Sequence, residues 1–331
     1  MNMSDGPKLE HRRILVTGGA GFIGSNLVER LLAQDNEVVV LDNFSTGKRE
    51  NVAPFAGDAR FTLLEGDIRD AARCRQAMAG VEFVLHYAAL GSVPGSIADP
   101  VLAADVNITG TVQVLQAARE AKVRRVVYAA SSATYGDARR LPQVEEEIGR
   151  PLSPYAVTKF ADELFARNFA ELFGLESVGL RFFNVFGPRQ DPGGAYAAVI
   201  PLFAQALIAH RAPTINGDGS FSRDYTYVEN VIEANQRAAL AEGEAVNQVY
   251  NIACGTAMTL TELFETLRRL LAELEPEIAG IEAVYGPERE GDIPHSVADI
   301  SKARRLLGYA PRFGVREGLA AAARWYYEHL R

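Results

Sequence analysis

This sequence of 331 residues contains only two cysteines and one tryptophan, and it has no excess of positive charge. The two cysteines, Cys74 and Cys254, are too few for a disulfide framework and are typical of a protein kept in a reducing compartment. A net charge of −8 does not fit the extended basic surface by which proteins bind nucleic acids and anionic membranes. No apolar run approaches membrane-spanning length, and the polar N-terminal residues lack the apolar centre of a signal peptide. We therefore expect a cytoplasmic protein without a nucleic-acid or membrane partner.

Histidine is also rare, with five residues, and no grouping of His, Cys and Asp has the spacing of a metal site. His86 lies at the end of an apolar, strand-like run, so we interpret it as a packed side chain rather than a catalytic base. We expect no metal ion. The remaining composition, 48% hydrophobic and 23% charged residues, is typical of a folded protein large enough for one α/β domain and a smaller companion.

A glycine-rich turn is the most informative feature of the sequence. Residues 18–24 read GGAGFIG; they follow a β-branched run at residues 14–17 and open an apolar pattern with helical spacing. Glycine permits a tight turn and a close approach of the backbone to a pyrophosphate, which the positive end of the helix then stabilises. The pattern predicts a dinucleotide site that includes Gly18, Gly21, Phe22, Ile23 and Gly24.

The next strand-like run, residues 38–41, ends at Asp42. An acidic residue at this separation from the glycines is suited to the 2′-hydroxyl of the adenosine ribose, and it would repel a 2′-phosphate. We therefore predict NAD rather than NADP as the cofactor. The loop that follows, with Asn43, Ser45, Thr46 and Gly47, is also suited to binding hydroxyl groups.

Strand-like and helix-like runs alternate through the first half of the chain, which predicts a doubly wound parallel sheet of the Rossmann type with a smaller mixed α/β domain. The predicted strands are residues 14–17, 38–41, 61–65, 83–87, 125–129 and 176–181. The predicted helices are residues 25–34, 71–79, 103–121 and 155–173, followed later by 260–272 and 314–327. We assign residues 1–184, with 225–252 interleaved, to the NAD-binding domain, and residues 185–224 and 253–331 to the substrate domain.

The two long, alanine-rich helices at 103–121 and 155–173 permit two interpretations. They either pair with their copies in a homodimer or simply cover the sheet. The spacing of the residues leaves both interpretations open, and of the two we expect the homodimer.

A tyrosine and a lysine, Tyr155 and Lys159, lie one helical turn apart on one face of a predicted helix. Ser153 is a good N-cap and Pro154 a good first residue, so the pair belongs to the start of that helix. A cation beside a phenol favours the phenolate, which is a general base for a sugar hydroxyl. Ser131 and Ser132 directly follow a predicted strand, and one of their hydroxyls is placed to bridge the reacting oxygen and the phenol.

These motifs resemble the extended short-chain dehydrogenase/reductase family. The segments Ser153-Pro154-Tyr155, residues 181–187 (RFFNVFG) and Arg223-Asp224-Tyr225 resemble, more narrowly, the nucleotide-sugar 4-epimerases. Residues 89–94 (ALGSVP) and 149–153 (GRPLS) are similar to those of bacterial UDP-N-acetylglucosamine 4-epimerases. The resemblance runs nearly end to end.

The resemblance implies roles for further residues. The cofactor site would also include Asp67, Ile68, Ala88, Ala89, Asn107 and Val185. The substrate site would include Gly91, Ser92, Asn184, Val199, Thr214 and Asn216, with Arg223 and Arg289 on the diphosphate and Asp292 on the uridine ribose. Guanidinium groups suit phosphates because their planar fork donates two hydrogen bonds. The reaction implied is oxidation and reduction at sugar C4, with Tyr155 removing the hydroxyl proton and Lys159 holding the nicotinamide ribose.

Two positions refine this expectation. Sugar 4,6-dehydratases carry acidic residues where this chain has Ser132 and Ala133, and decarboxylating relatives carry a glutamate at the position of Ala133, so neither reaction is favoured. Ser296 stands where a tyrosine restricts epimerases to UDP-glucose and UDP-galactose, and the smaller side chain predicts that N-acetylated sugars are accepted. The alternatives are a UDP-glucose 4-epimerase, a UDP-glucuronate-type 4-epimerase, an NAD(P)-dependent sugar reductase and an inactive cofactor-sensing protein.

Overall fold

A seven-stranded parallel sheet forms the centre of the molecule in the computed structural model, which describes residues 6–193, 198–288 and 293–331. Its strands are β1 (Arg13–Thr17), β2 (Glu37–Asp42), β3 (Phe61–Glu65), β4 (Phe83–His86), β5 (Arg125–Ser131), β6 (Ser177–Phe182) and β11 (Gln248–Ile252). The strand order is β11-β6-β5-β4-β1-β2-β3. The chain starts at the centre and winds outward in both directions, which confirms the doubly wound fold.

Helices cover both faces of this sheet because its strands are apolar on both sides. They are α1 (Phe22–Leu32), α2 (Ala71–Ala77), α3 (Val93–Ala98), α4 (Pro100–Ala104), α5 (Gly110–Glu120), α6 (Pro154–Phe173) and α8 (Val228–Ala239). Ile14 and Val16 of β1 pack with α1 and α8, whereas Leu15 packs with α2 and α5 on the opposite face. The alternation of side chains along one strand therefore serves two separate hydrophobic cores.

The helix predicted at 103–121 differs in detail from the structure. Helical geometry begins earlier, at Pro100, and a π-helical segment at Asp105–Thr109 separates α4 from α5. Asp99 caps the start by accepting a hydrogen bond from the Leu102 backbone nitrogen at 2.9 Å. Extra backbone residues in a π-helical segment rotate the side chains that follow, and such segments are frequent at functional sites.

A third hydrophobic core lies beside the large sheet. It is formed by three helices, α7 (Val199–Ile208), α9 (Leu260–Ala272) and α11 (Val315–His329). Short strands flank them: β7 (Val185–Phe186), β8 (Thr214–Asn216), β9 (Ser222–Arg223), β10 (Thr226–Tyr227), β12 (Met258–Thr259), β13 (Val284–Gly286) and β14 (His295–Ser296). The helix α10 (Ser301–Leu307) instead packs its buried side chains with the core of the large sheet. The proposed domain limits stay a prediction.

No helix in residues 6–193, 198–288 and 293–331 is both long enough and apolar enough to cross a membrane. Across the same ranges, no three His, Cys, Asp or Glu side chains converge in a group that could hold a metal ion.

Candidate active site

The glycine-rich turn joins β1 to α1 at the carboxyl edge of the sheet, where ligands of such folds bind. Gly18 has a φ of +69°, and a Cβ there would lie 2.6 Å from the Ala88 backbone nitrogen. A Cβ at Gly24 would lie 2.1 Å from the Gly18 carbonyl oxygen. Both contacts are with backbone atoms, so no side chain can move aside to relieve them. The turn therefore requires glycine, as the sequence pattern predicts.

One end of the cleft is a narrow pocket between this turn and the ends of β2 and β3. Asp42 lies there, largely buried, and its carboxylate accepts hydrogen bonds from the backbone nitrogens of Ala20 at 2.9 Å and Phe44 at 2.8 Å. The predicted cofactor residues that line this pocket are Gly18, Gly21, Asp42, Asn43, Ser45, Thr46, Gly47, Asp67, Ile68, Ala88 and Ala89. The cofactor residues predicted from the sequence therefore form one contiguous surface in the structure.

Asp67 is held as a carboxylate on this surface. The Arg69 guanidinium lies 2.8 Å from it, and the Asn43 amide donates to it at 2.8 Å. The hydrogen bond from Arg69, assisted by Asn43 and partly opposed by burial, lowers the pKa of Asp67 to about 2. Its oxygens therefore act only as hydrogen-bond acceptors at neutral pH.

The start of α6 brings Tyr155 and Lys159 to the main cleft. The Ser153 hydroxyl accepts a hydrogen bond from the Ala156 backbone nitrogen at 3.1 Å, and Pro154 follows as the first helical residue. The cleft has a volume of about 580 Å³, and Ser131 also lines it. It further contains Gly18, Gly21, Phe22, Ile23, Gly24, Thr46, Ala89, Gly91, Ser92, Asn184 and Val185. The glycine-rich turn and the tyrosine–lysine pair therefore face one another across a single cavity.

Lys159 is almost completely buried and has two partners on the protein side. Its ammonium donates to the Ala129 carbonyl oxygen at 3.1 Å and to an Asp162 carboxylate oxygen at 3.2 Å. Burial alone would lower the pKa of Lys159, but the Asp162 carboxylate outweighs it, with help from Tyr155 and Glu163, and the pKa lies above its ordinary value. Lys159 is a permanent cation at neutral pH.

A second cavity of about 600 Å³ adjoins the first, and both are lined by Asn184 and Ala198. The predicted substrate residues in this cavity are Asn184, Val199, Thr214, Asn216 and Arg223. Arg223 Nη1 donates to the carbonyl oxygens of Ser222 at 3.0 Å and Pro294 at 3.1 Å. Ser296 pairs with Arg223 in the β14–β9 register and is half-buried. Arg289 and Asp292 lie outside the described residues.

Three of the predicted residues that the structure describes, Asn107, Ser132 and Ser296, line neither of these two cavities nor the narrow pocket. Asn107 is fully buried, and its amide bonds with the Leu90 backbone nitrogen at 2.8 Å and the Thr158 hydroxyl at 3.0 Å. It thus supports the loop before α3 from beneath. Ser132 begins a 3₁₀ turn after β5, and Ser131 is the serine that faces the cleft.

The structure also adds residues that sequence reasoning missed. Arg189 and Asp191 line the main cleft from the loop after β7. Arg189 donates to Asn26 at 2.8 Å and to Glu29 at 2.5 Å, and Asp191 pairs with Lys48 at 3.0 Å. The Gly187-Pro188 pair in the sequence marked this segment only as a turn. This segment contacts α1 only in the folded protein, and no pattern in the neighbouring sequence indicates that contact.

With this geometry in place, comparison with known proteins identifies the family. Residues 14–253 match the NAD dependent epimerase/dehydratase family. The chain belongs to that family. A UDP-glucose 4-epimerase of Mycolicibacterium smegmatis is 38% identical over 95% of this chain and 98% of that protein.

Two solved members of the epimerase/dehydratase family are also closely similar. A UDP-N-acetylglucosamine 4-epimerase from Methanobrevibacter ruminantium, in complex with UDP-N-acetylmuramic acid, superposes with a TM-score of 0.90 at 38% identity, covering 97% of this chain and 99% of that one. A UDP-glucose 4-epimerase from Thermotoga maritima with UDP-glucose gives 0.88 at 35% identity, covering 96% and 100%. The predicted family, enzyme class and cofactor NAD are confirmed.

The residues present fit NAD on structural grounds. Gly18 and Gly21 line the cleft at the N-terminus of α1, where backbone N–H groups favour a pyrophosphate. Asp42 lies at the end of β2, as a contact with the adenosine ribose requires. The cavity then continues to Tyr155 and Lys159.

Proposed function

We propose that this protein is a UDP-sugar 4-epimerase that interconverts C4 epimers of UDP-hexoses and accepts N-acetylated sugars. The observation that carries the proposal is that the two cavities adjoin, with Asn184 and Ala198 lining both. The glycine-rich turn, Tyr155, Lys159 and Ser131 line the first, and Arg223 with Thr214 and Asn216 lines the second. A nucleotide in the second cavity extends its sugar past Asn184 toward Tyr155.

NAD, when bound, supplies a reversible acceptor for the hydride at sugar C4. Tyr155 is assigned as the base that takes the proton from the C4 hydroxyl and returns it after the ring has turned over. Lys159 stabilises the phenolate by its fixed positive charge and carries an N–H for the nicotinamide ribose. Ser131, at the end of β5, is assigned a hydrogen bond to the reacting oxygen.

Turnover of the sugar requires that its diphosphate stay anchored while the ring rotates. Arg223 is assigned to that anchor because its guanidinium suits phosphate and its Nη1 is already fixed by two backbone carbonyls. Arg289 and Asp292 are assigned to the diphosphate and the uridine ribose by resemblance. Ser296 lies beside Arg223 in the strand register, and its small side chain favours a substrate with a 2-acetamido group.

The direct test is to incubate the purified enzyme separately with UDP-N-acetylglucosamine, UDP-glucose and UDP-glucuronate and to resolve the C4 epimers by proton NMR. We expect conversion of UDP-N-acetylglucosamine to UDP-N-acetylgalactosamine without net NADH formation. Tyr155→Phe is expected to lose at least ~100-fold in kcat because the general base is gone. Stoichiometric NADH with no epimer would instead indicate a dehydrogenase. Turnover of UDP-glucuronate alone would reassign the sugar.

We also propose a homodimer formed through α3, α4 and α6. Large apolar side chains are exposed on these packed helices, including Val101 at 77%, Leu172 at 65% and Ile97 at 62%. Val157, Leu164, Phe165 and Leu172 form one stripe along α6, at the spacing of a helical face. Light scattering coupled to size-exclusion chromatography should give a mass near 72 kDa, roughly twice the chain mass. Leu172→Glu should yield the monomer; a monomeric wild-type enzyme would contradict the proposal.

A further inference from the structure

A chain of buried polar side chains runs beneath the active site from β1 to α6. The Thr17 hydroxyl lies 2.7 Å from Nδ1 of His86, and Nε2 of His86 lies 3.0 Å from the Thr111 hydroxyl. The Thr111 hydroxyl in turn neighbours the Asp162 carboxyl group and lowers its pKa, while Oδ1 of Asp162 has no hydrogen-bond partner among the described residues. Asp162 contacts Lys159 at 3.2 Å. All five side chains are less than a tenth exposed, so water does not compete for these bonds.

The direction of the hydrogen bonds follows from counting donors. Thr17 Oγ1 accepts from the backbone nitrogens of Tyr87 at 3.2 Å and Ala88 at 3.3 Å, so its own hydrogen is left for His86 Nδ1. His86 is neutral, because burial and the charge of Lys159 lower its pKa to about 3. Its remaining hydrogen is on Nε2 and donates to Thr111. The Thr111 hydrogen is then left free for the neighbouring Asp162 carboxylate, whose Oδ1 has no other partner among the described residues.

Asp162 thus accepts a hydrogen bond from Lys159 through Oδ2, while the neighbouring Thr111 hydroxyl stabilises its charged form. The titratable groups around the ion pair are Tyr155 and Glu163 on α6, His86 on β4 and Tyr128 on β5. His86 and Tyr128 are uncharged at neutral pH, since burial raises the pKa of Tyr128 well above 10. Glu163 is held by Arg181 at 2.7 Å. Asp162 is therefore the anion that directly contacts the Lys159 ammonium.

We propose that Asp162 is a positioning residue: its buried carboxylate, which lies beside the Thr111–His86–Thr17 chain, holds the Lys159 ammonium charged and oriented toward the cleft. Neither the family resemblance nor the sugar contacts assign a role to Asp162. Two N–H groups of Lys159 are fixed by Asp162 and Ala129, which leaves the third directed at the cleft that Lys159 lines. The effect of Asp162 on catalysis rests on the proposed function, whereas its effect on the charge and orientation of Lys159 does not.

The experiment follows the charge on Lys159 itself. The chain has five lysines, so ε-¹³C-lysine labelling of the NAD-containing enzyme gives few signals, and Lys159→Arg assigns the one of interest. In the wild type, we expect Lys159 to stay protonated beyond the ordinary lysine range. In Asp162→Asn, which keeps the side-chain shape, the titration midpoint should fall by about one pH unit or more.

Glu163→Gln is the matched control. Glu163 is the next residue on α6, equally buried and also paired with a cation. The proposal requires a distinctly smaller shift of the Lys159 midpoint in Glu163→Gln than in Asp162→Asn. Equal shifts, or an Asp162→Asn midpoint indistinguishable from the wild type, would overturn it.

Thr111→Val provides a second route in case Asp162→Asn does not fold. Burial raises the pKa of Asp162 to about 6, and the Thr111 hydroxyl opposes that rise. In Thr111→Val, the Lys159 signal should report protonation of Asp162 at a higher pH than in the wild type. An unchanged transition would show that the Thr111–His86–Thr17 side chains do not act on Asp162.

In activity measurements, Asp162→Asn should lose kcat at alkaline pH with KM unaltered. A wild-type enzyme that epimerises no UDP-sugar while the Lys159 shift appears would refute the proposed function alone.

Discussion

The Ser96 hydroxyl oxygen lies 2.9 Å from the Tyr155 backbone nitrogen and accepts its hydrogen bond. Tyr155 is in the first turn of α6, where backbone N–H groups have no partner within the helix. Ser153, the residue directly before α6, caps the next such group, that of Ala156. The cap on Tyr155 instead comes from α3, a helix whose N-cap residue, Ser92, lines the cleft. The position of the proposed base is thus linked to a loop that faces the substrate.

Removal of this cap should reduce catalysis more than binding. In Ser96→Ala, the Tyr155 N–H loses its acceptor and the phenol is held less firmly, so we expect kcat to fall ~10-fold with little change in KM. Steady-state kinetics by the NMR or a coupled assay measures both constants. Ser96→Thr keeps the hydroxyl and should retain most of the activity. A Ser96→Ala enzyme with wild-type kcat would show that the cap has no catalytic effect.

The glycine-rich turn predicts a sharp loss of cofactor in Gly24→Ala. The added Cβ would lie 2.1 Å from the Gly18 carbonyl oxygen and 2.8 Å from the Gly19 Cα, so the backbone has to shift where the pyrophosphate binds. The NAD content of the purified protein, released by heat and assayed enzymatically, should fall well below that of the wild type. Gly57→Ala is the control, since a Cβ there meets nothing within 4 Å. Equal NAD content in both variants would contradict this account of the turn.

Sugar selectivity is tested at Ser296. Because Ser296 pairs with Arg223 in the β14–β9 register, a tyrosine there is expected to crowd the sugar of a nucleotide anchored by Arg223. Ser296→Tyr should abolish turnover of UDP-N-acetylglucosamine while UDP-glucose is still converted. The ratio of the two kcat/KM values is the measurement. Parallel loss of both substrates would show that Ser296 does not sense the 2-substituent.

Buried, neutral His86 makes stability depend on pH. Its pKa is lowered to about 3 by burial and by Lys159, so the unfolded chain binds a proton between pH 6.5 and 3 that the folded chain does not. The stability associated with neutral His86 is present above pH 6.5 and is lost as the pH falls, at up to ~1.4 kcal/mol per pH unit. In His86→Gln, the free energy of unfolding from urea titrations should vary less steeply between pH 6.5 and 4.5. The exposed His329→Gln should match the wild-type slope.

Local patterns were sufficient to predict the cofactor turn and the tyrosine–lysine pair. The glycines lie within seven residues, and Tyr155 and Lys159 are joined by one helical turn, so spacing alone places them. The parallel sheet follows from the alternation of runs. The resemblance placed Gly91, Ser92 and Val185 at the site, and in the structure all three residues line the cleft.

Contacts between elements that lie far apart in the sequence could not be predicted from local patterns. Ser96 reaches Tyr155 from another helix, and the Thr17–His86–Thr111–Asp162 chain joins two strands and two helices. Asn107 is polar and suits a ligand, yet a π-helical segment turns it beneath the loop at Leu90. Such placements depend on packing of the whole sheet rather than on neighbouring residues.

The C4 hydrogen of the sugar gives the most direct test of the central claim that Tyr155 removes a proton from oxygen and not from carbon. UDP-N-acetylglucosamine is incubated with the enzyme in D₂O until the epimers equilibrate, and deuterium at C4 is measured by NMR and mass spectrometry. Because a hydrogen transferred as hydride does not exchange with water, the account predicts an epimerised product with protium at C4. Epimerisation accompanied by deuterium at C4 would contradict it.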